Sequence, residues 1–249
     1  MGRGVNVADF IRQTKGFSSE NKRSADLISE VSENVSEDLK KIAEFENENR
    51  NSSEWAGLST LKGVNQGLRD ECQSCAEKIR KIAEKQEEDY RYILETIKAA
   101  KEKVLDFLIK HGLGQYSTAI TGFGYEEVED LLDAEIKTDG YLTDDPCWVV
   151  VEDERLQMAR HHLRTLRQEI NKLRERIANI PHRMESIIRS TDEAAKTSNR
   201  FLGACRDSVN RARALENETR TAVGGAGMST SLWRLVRSSG MYQYYRIYN

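Results

Sequence analysis

Long apolar runs are missing from this chain. No stretch of 18 or more apolar residues occurs, whereas a helix needs about 20 to cross a bilayer. Proline is almost absent, at two in 249 residues, so little in the sequence interrupts helix formation. Cysteine is scarce as well: Cys72, Cys75, Cys147 and Cys205 are too few and too scattered for a disulfide framework and suit a reducing compartment. Cys72-x-x-Cys75 has zinc-ligand spacing, but no second Cys or His pair completes a four-ligand set.

Catalytic patterns are missing too. The four histidines are His111, His161, His162 and His182, and neighbours on a helix, such as His161 and His162, point in different directions. No Walker loop, dinucleotide fingerprint or nucleophile elbow is present. The expectation is a non-enzymatic protein without metal or cofactor. Residues 1–6 approach the myristoylation pattern, yet Asn6 stands where Ser or Thr is required. The polar start lacks an apolar signal core, so the expected location is the cytoplasm, and the sequons at Asn34, Asn51 and Asn217 are read as incidental.

What remains is charge and helical periodicity. Charged residues make up 32% of the chain and the mean hydropathy is −0.67, which leaves little apolar material for a thick core. Glu, Lys, Arg and Ala lose little rotamer freedom in a helix. The fold class implied is all-α: an elongated antiparallel coiled-coil hairpin or bundle with a small helical module between its long helices.

After an N-terminal arm over residues 1–19, amphipathic helices are expected over 20–108. In 20–50, Ile28, Val31, Val35, Leu39, Ile42 and Phe45 recur at steps of three or four and define one buried face. The polar stretch near 50–58 is either a hairpin turn or a kink in one rod. Over 58–108 the stripe runs Leu61, Val64, Leu68, Cys72, Cys75, Ile79 and Ile82. After Gln86 it resumes in shifted phase as Tyr90, Ile93, Ile97, Ala100, Val104 and Phe107, in the manner of a stutter.

The strongest periodicity lies over 156–222. Steps of seven give Leu156, Leu163, Ile170, Ile177 and Met184 in one series and Leu166, Leu173, Ile180 and Ile187 in the other, the a and d positions of a left-handed coiled coil. From Thr191 the stripe turns small and polar, so its grip should weaken. Pro181 is expected to kink the helix. Residues 223–231 read as a Gly/Ser linker, followed by an aromatic, basic tail in which Trp233, Arg234, Arg237, Tyr244 and Tyr245 are candidates for docking on a partner or at a membrane surface.

Between the long helices the text changes: Phe107-Leu108, then Gly112-Leu113-Gly114-Gln115-Tyr116, then Asp130-Leu131-Leu132, Leu142-Thr143-Asp144-Asp145 and Arg155-Leu156. Over about 102–168 this resembles the sterile alpha motif family, with a longer middle loop at 134–141 and an apolar run, Trp148 to Val151, that either packs like the family's segment or forms a short strand. The resemblance implies protein association, often head to tail between an acidic middle face and a basic terminal helix. Residues 126–154 carry twelve acids against one base, a net of −11, and residues 155–189 carry nine bases against three acids, a net of +6. The candidate association surface is therefore Glu126, Glu127, Asp130, Asp144 and Asp145 with Arg155, Arg160 and Arg164. The expected partners are proteins, including further copies of this chain, rather than nucleic acid, because a net charge of −3 and the acidic module repel phosphate. The competing reading is a membrane-surface protein of BAR-like or amphipathic-tail type, peripheral to the bilayer.

Overall fold

The computed structural model describes residues 7–48, 55–139, 147–151 and 154–222. It is an all-α protein with long helices and one small three-stranded sheet. Residues Met1–Glu87 and Ile188–Asn249 form one unit and Glu88–Ile187 a second. The divisions fall inside two helices, α3 (Trp55–Ala100) and α8 (Ile180–Ala222).

In the first unit, a short helix α1 (Val7–Thr14) occupies part of the expected N-terminal arm, with Phe10 buried. Helix α2 (Phe17–Glu48) runs antiparallel to α3: Ser18 Oγ donates to the Ala83 carbonyl, Asp26 pairs with Arg80, and Glu46 pairs with Lys62. A hairpin, not one rod, thus joins the two. Helix α8 also opposes α3, since Lys78 pairs with Glu193 and Glu71 with Arg200. The three helices bury Ile28, Val31, Val35 and Ile42 with Leu61, Leu68, Cys72, Cys75 and Ile79, and with Val209 and Ala212. Those from α2 and α3 belong to the stripes that steps of three and four select, although Leu39 is only half-buried while Asp38 is buried, and Val209 lies outside the expected series.

At the end of this core a polar layer replaces the apolar one. Gln86 has no exposed surface. Its amide nitrogen donates to Ser190 Oγ at 3.0 Å and to Thr191 Oγ1 at 2.9 Å, and its oxygen accepts from Asn21 Nδ2 at 2.9 Å. One side chain therefore ties α2, α3 and α8 in a single register, and a buried amide satisfied on both ends specifies that register because any slip strands it. Gln86→Ala should lower the urea midpoint by about 1–3 kcal/mol equivalent, the cost of a broken buried hydrogen-bond set. An unchanged midpoint would remove this layer as a stabilising element.

In the second unit α3 ends at Ala100, eight residues before the expected end at 108, and α4 (Val104–Lys110) starts anew. Helix α4 stops at the Gly112-Leu113 pair. Gly112 takes φ 73°, its N–H reaches the Ile109 carbonyl at 3.1 Å, and the Leu113 N–H reaches the Leu108 carbonyl at 2.7 Å. That is a Schellman cap, with Leu108 and Leu113 both fully buried as its hydrophobic contact. A 3₁₀ turn (Gly114–Tyr116), α5 (Ser117–Gly122) and α6 (Val128–Asp133) follow.

Strands β1 (Ile136–Asp139), β2 (Cys147–Val151) and β3 (Glu154–Met158) make an antiparallel meander in that order. Ile136 faces Val151, and Val149 faces Leu156. β-Branched residues favour this pleat, and Val149, Val151, Leu156 and Met158 alternate inward. The helix expected over 156–222 is accordingly divided. Leu156 belongs to β3, α7 begins at Arg160 and ends at Ala178, and α8 begins at Ile180. The break lies at Asn179, whose N–H still reaches the Glu175 carbonyl and whose carbonyl still accepts from Arg183. Pro181 falls in the first turn of α8, where its missing N–H costs no intrahelical bond.

Candidate interaction surfaces

The heptad residues Leu163, Leu166, Ile170 and Leu173 are buried, chiefly in the core of a compact module. They close the core of the second unit over Val104, Phe107, Leu108, Leu113, Ile120, Val128, Leu131, Val149 and Met158. Ile177 packs at the edge of this core, and Ile180, Met184 and Ile187 are also buried. These stripe residues are buried within one chain, whereas Leu94, Leu105 and Ile109 of the same unit remain exposed; the charged surfaces lie on the polar faces of the helices.

The first such face is acidic. Helix α6 starts in a capping box: the Asp130 carboxylate accepts the Glu127 N–H at 2.9 Å and the Glu126 N–H at 3.0 Å, and the Glu127 side chain accepts in return from the third helical residue. The box points Glu126, Glu127, Glu129 and Asp133 outward, and all four are exposed. Among the described residues none of them has a cationic partner. Val128 N–H to the Glu102 carbonyl and Val104 N–H to the Glu126 carbonyl, both 2.9 Å, fasten this face to the start of α4. Asp144 and Asp145 lie outside the described residues.

The basic stretch that follows in sequence is largely consumed inside the fold. Arg167 donates to the Ile136 carbonyl at 2.9 Å, and Arg174 donates to the Leu132 and Ala134 carbonyls at 2.8 and 3.0 Å. These two guanidiniums cap the chain where it leaves α6 for β1. Arg183 pairs with Asp89, and both Arg183 and Arg176 lie over the Tyr92 ring. Arg155 and Arg164 are exposed and Arg160 is half-buried. The stretch is a set of anchors more than a free patch.

A second charged surface is assembled from segments far apart in the sequence. In the first unit, α3 and α8 border a groove of about 440 Å³ lined by Ser74, Cys75, Lys78, Arg189, Lys196 and Arg200 around Glu193, with Thr197. On α8 the stripe 189, 193, 196, 200 follows helical spacing, and on α3 Lys78 and Lys85 repeat at seven. The Lys78 ammonium, hydrogen-bonded to Glu193, holds that carboxyl below its ordinary range, with Lys85 and Lys196 adding to the effect. Among the described residues no hydrogen bond or ion pair engages Lys85 or Lys196. Only the folded pairing of α3 with α8 gathers these cations, which stand over a hundred positions apart in the chain.

Cys72 and Cys75 are buried and Cys205 half-buried. Burial pushes Cys72 up to about 12 and Cys75 and Cys205 up to about 11, so thiolate is scarce near neutral pH. His162 Nδ1 lies 2.9 Å from Tyr116 Oη, which also accepts the Ala159 N–H at 3.1 Å, and this pair pins the 3₁₀ turn to the start of α7. Among the described residues no cluster of His, Cys, Asp or Glu is arranged to hold a metal ion, and no helix is long and apolar enough to cross a membrane. The tail residues Trp233, Arg234, Arg237, Tyr244 and Tyr245 lie outside the described residues. No family model, curated protein or solved structure matches the chain.

Proposed function

We propose that this chain is a non-enzymatic scaffold that associates with further copies of itself through charged surfaces carried on closely packed helices. The observation that carries the reading is the α6 face: Glu126, Glu127, Glu129 and Asp133 are exposed together, held by a capping box and unmatched by cations among the described residues. A fixed cluster of one sign costs self-repulsion and steers an oppositely charged surface toward it. The order α4, α5, α6 and α7, with the Gly112-Leu113 cap between the first two, supports likening residues 102–168 to a sterile alpha motif, although the β meander departs from that pattern. Such a module is read as an association device.

The test is light scattering over a range of concentrations. At about 20 mM salt, where exposed charges act over roughly 20 Å, the mass should rise with concentration, and at about 0.5 M salt it should return to the protomer. Glu129→Lys with Asp133→Lys should abolish the rise. A mass independent of concentration at both salts, or a variant that grows like the parent, removes the proposal.

A further inference from the structure

We infer that the α6 acidic face of one copy docks in the α3–α8 basic groove of a second copy. This rests on the self-association reading above and names the surface that completes it. The bases nearest in sequence are poor candidates, because Arg167, Arg174, Arg176 and Arg183 are engaged with carbonyls, Asp89 and Tyr92. The groove instead gathers exposed cations: Lys78, Arg189, Lys196 and Arg200 line it, Lys85 on the same face of α3 also acts on Glu193, and among the described residues Lys85 and Lys196 make no hydrogen bond or ion pair. Glu193 and the Glu71 partner of Arg200 offset only part of that charge.

The shapes also agree. The α8 stripe from Arg189 to Arg200 spans about 16 Å at 1.5 Å per residue, and the six residues of α6 span about 9 Å. Glu129 and Asp133 lie one turn apart on α6 and meet the groove as neighbours on one helix face. The groove's volume of about 440 Å³ is large enough for carboxylate side chains, and Ser74 adds a hydroxyl donor. The two patches differ, so the contact is heterologous: each copy carries one of each kind. Removing the groove from one copy and the acidic face from another leaves a single intact junction between them.

The experiment uses full-length chains in light scattering at low salt. Lys85→Glu with Lys196→Glu should hold the mass at the 28.5 kDa protomer, as should Glu129→Lys with Asp133→Lys. An equimolar mixture of the two variants should give a species of twice that mass that salt dissolves. Circular dichroism checks the fold, and the neutral pairs Lys85→Gln/Lys196→Gln and Glu129→Gln/Asp133→Asn replace any reversal that unfolds. Growth of the groove variant like the parent, while the α6 variant stays a protomer, overturns the groove assignment and leaves self-association standing. Two protomeric variants that fail to pair also overturn it. So does a groove variant that loses binding to anionic vesicles while the parent never self-associates, an outcome that sinks both readings and assigns the groove to lipid. A parent that never grows and binds no vesicle sinks both as well.

Discussion

Leu166→Asp should unfold the second unit while leaving its exposed neighbour's counterpart, Arg164→Asp, close to the parent. Leu166 has no exposed surface and sits in the core formed by α4, α5, α6, β2, β3 and α7. Shortening it to alanine alone should cost about 2–5 kcal/mol in lost contacts and cavity. Aspartate adds a carboxylate amid apolar side chains, and the total approaches the roughly 5–15 kcal/mol that holds a whole domain folded. The readouts are near-ultraviolet circular dichroism, with buried Tyr125 as reporter, and hydrogen exchange of β2 and β3. Arg164 is exposed on the same helix, and its replacement should shift stability by no more than about 0.5 kcal/mol. Because the partners of Leu166 are in its own chain, the protomer mass should stay as it is at high salt. Dissociation of an oligomer with a preserved fold would instead place the seam between chains.

That expectation differs from what periodicity alone supports, and the difference marks where the sequence stops being readable. Steps of three, four and seven report which face of a helix is buried, and they do so faithfully here: Leu61 to Ile82 on α3 and Leu163 to Leu173 on α7 are all buried. They do not report what covers that face. The same Leu163-Leu166-Ile170-Leu173 stripe fits a partner helix or a compact module, since both present apolar surface at the same spacing. The shift of phase after Gln86 was legible as a stutter, but its cause was not, because Asn21, Ser190 and Thr191 come from distant parts of the chain. Strand β3 was hidden for a different reason. Its inward pair, Leu156 and Met158, has period two over five residues, too short a run to outweigh the heptad series that begins at the same leucine.

Charge was the least legible property. A net of +6 over residues 155–189 counts every guanidinium alike, yet two of them serve as donors to backbone carbonyls leaving α6 and one neutralises a buried acid. An arginine used in this way presents little free charge to a partner. The α3–α8 groove shows the converse, as its cations come from separate segments whose local charge is balanced by Glu77, Glu84 and Asp192. Surface charge follows tertiary pairing, so a count along the chain finds the acidic α6 face, which is local, and misses the groove, which is not.

The Asp89–Arg183 pair carries the sharpest consequence of that distinction. The Asp89 side chain is 1% exposed and that of Arg183 is 43% exposed, at 2.6 Å, and Asp89 Oδ2 has no hydrogen bond among the described residues. Arg183→Met should therefore cost about 3–5 kcal/mol, because it strands a carboxylate in the interior. It also removes the cation over Tyr92 at 4.7 Å, a contact that contributes about 0.5–1 kcal/mol. Asp89→Leu should cost far less, about 1 kcal/mol, since the guanidinium left behind already reaches water. The double variant should return to within about 1 kcal/mol of the parent, as apolar replacements of buried pairs commonly do. The cycle thus predicts a strongly non-additive pair in which the partner that is itself more buried is the cheaper one to remove. Equal costs for the two single variants, or a double variant no better than Arg183→Met, would show that Asp89 is not held by this ion pair and that Arg183 acts through packing on Tyr92 alone.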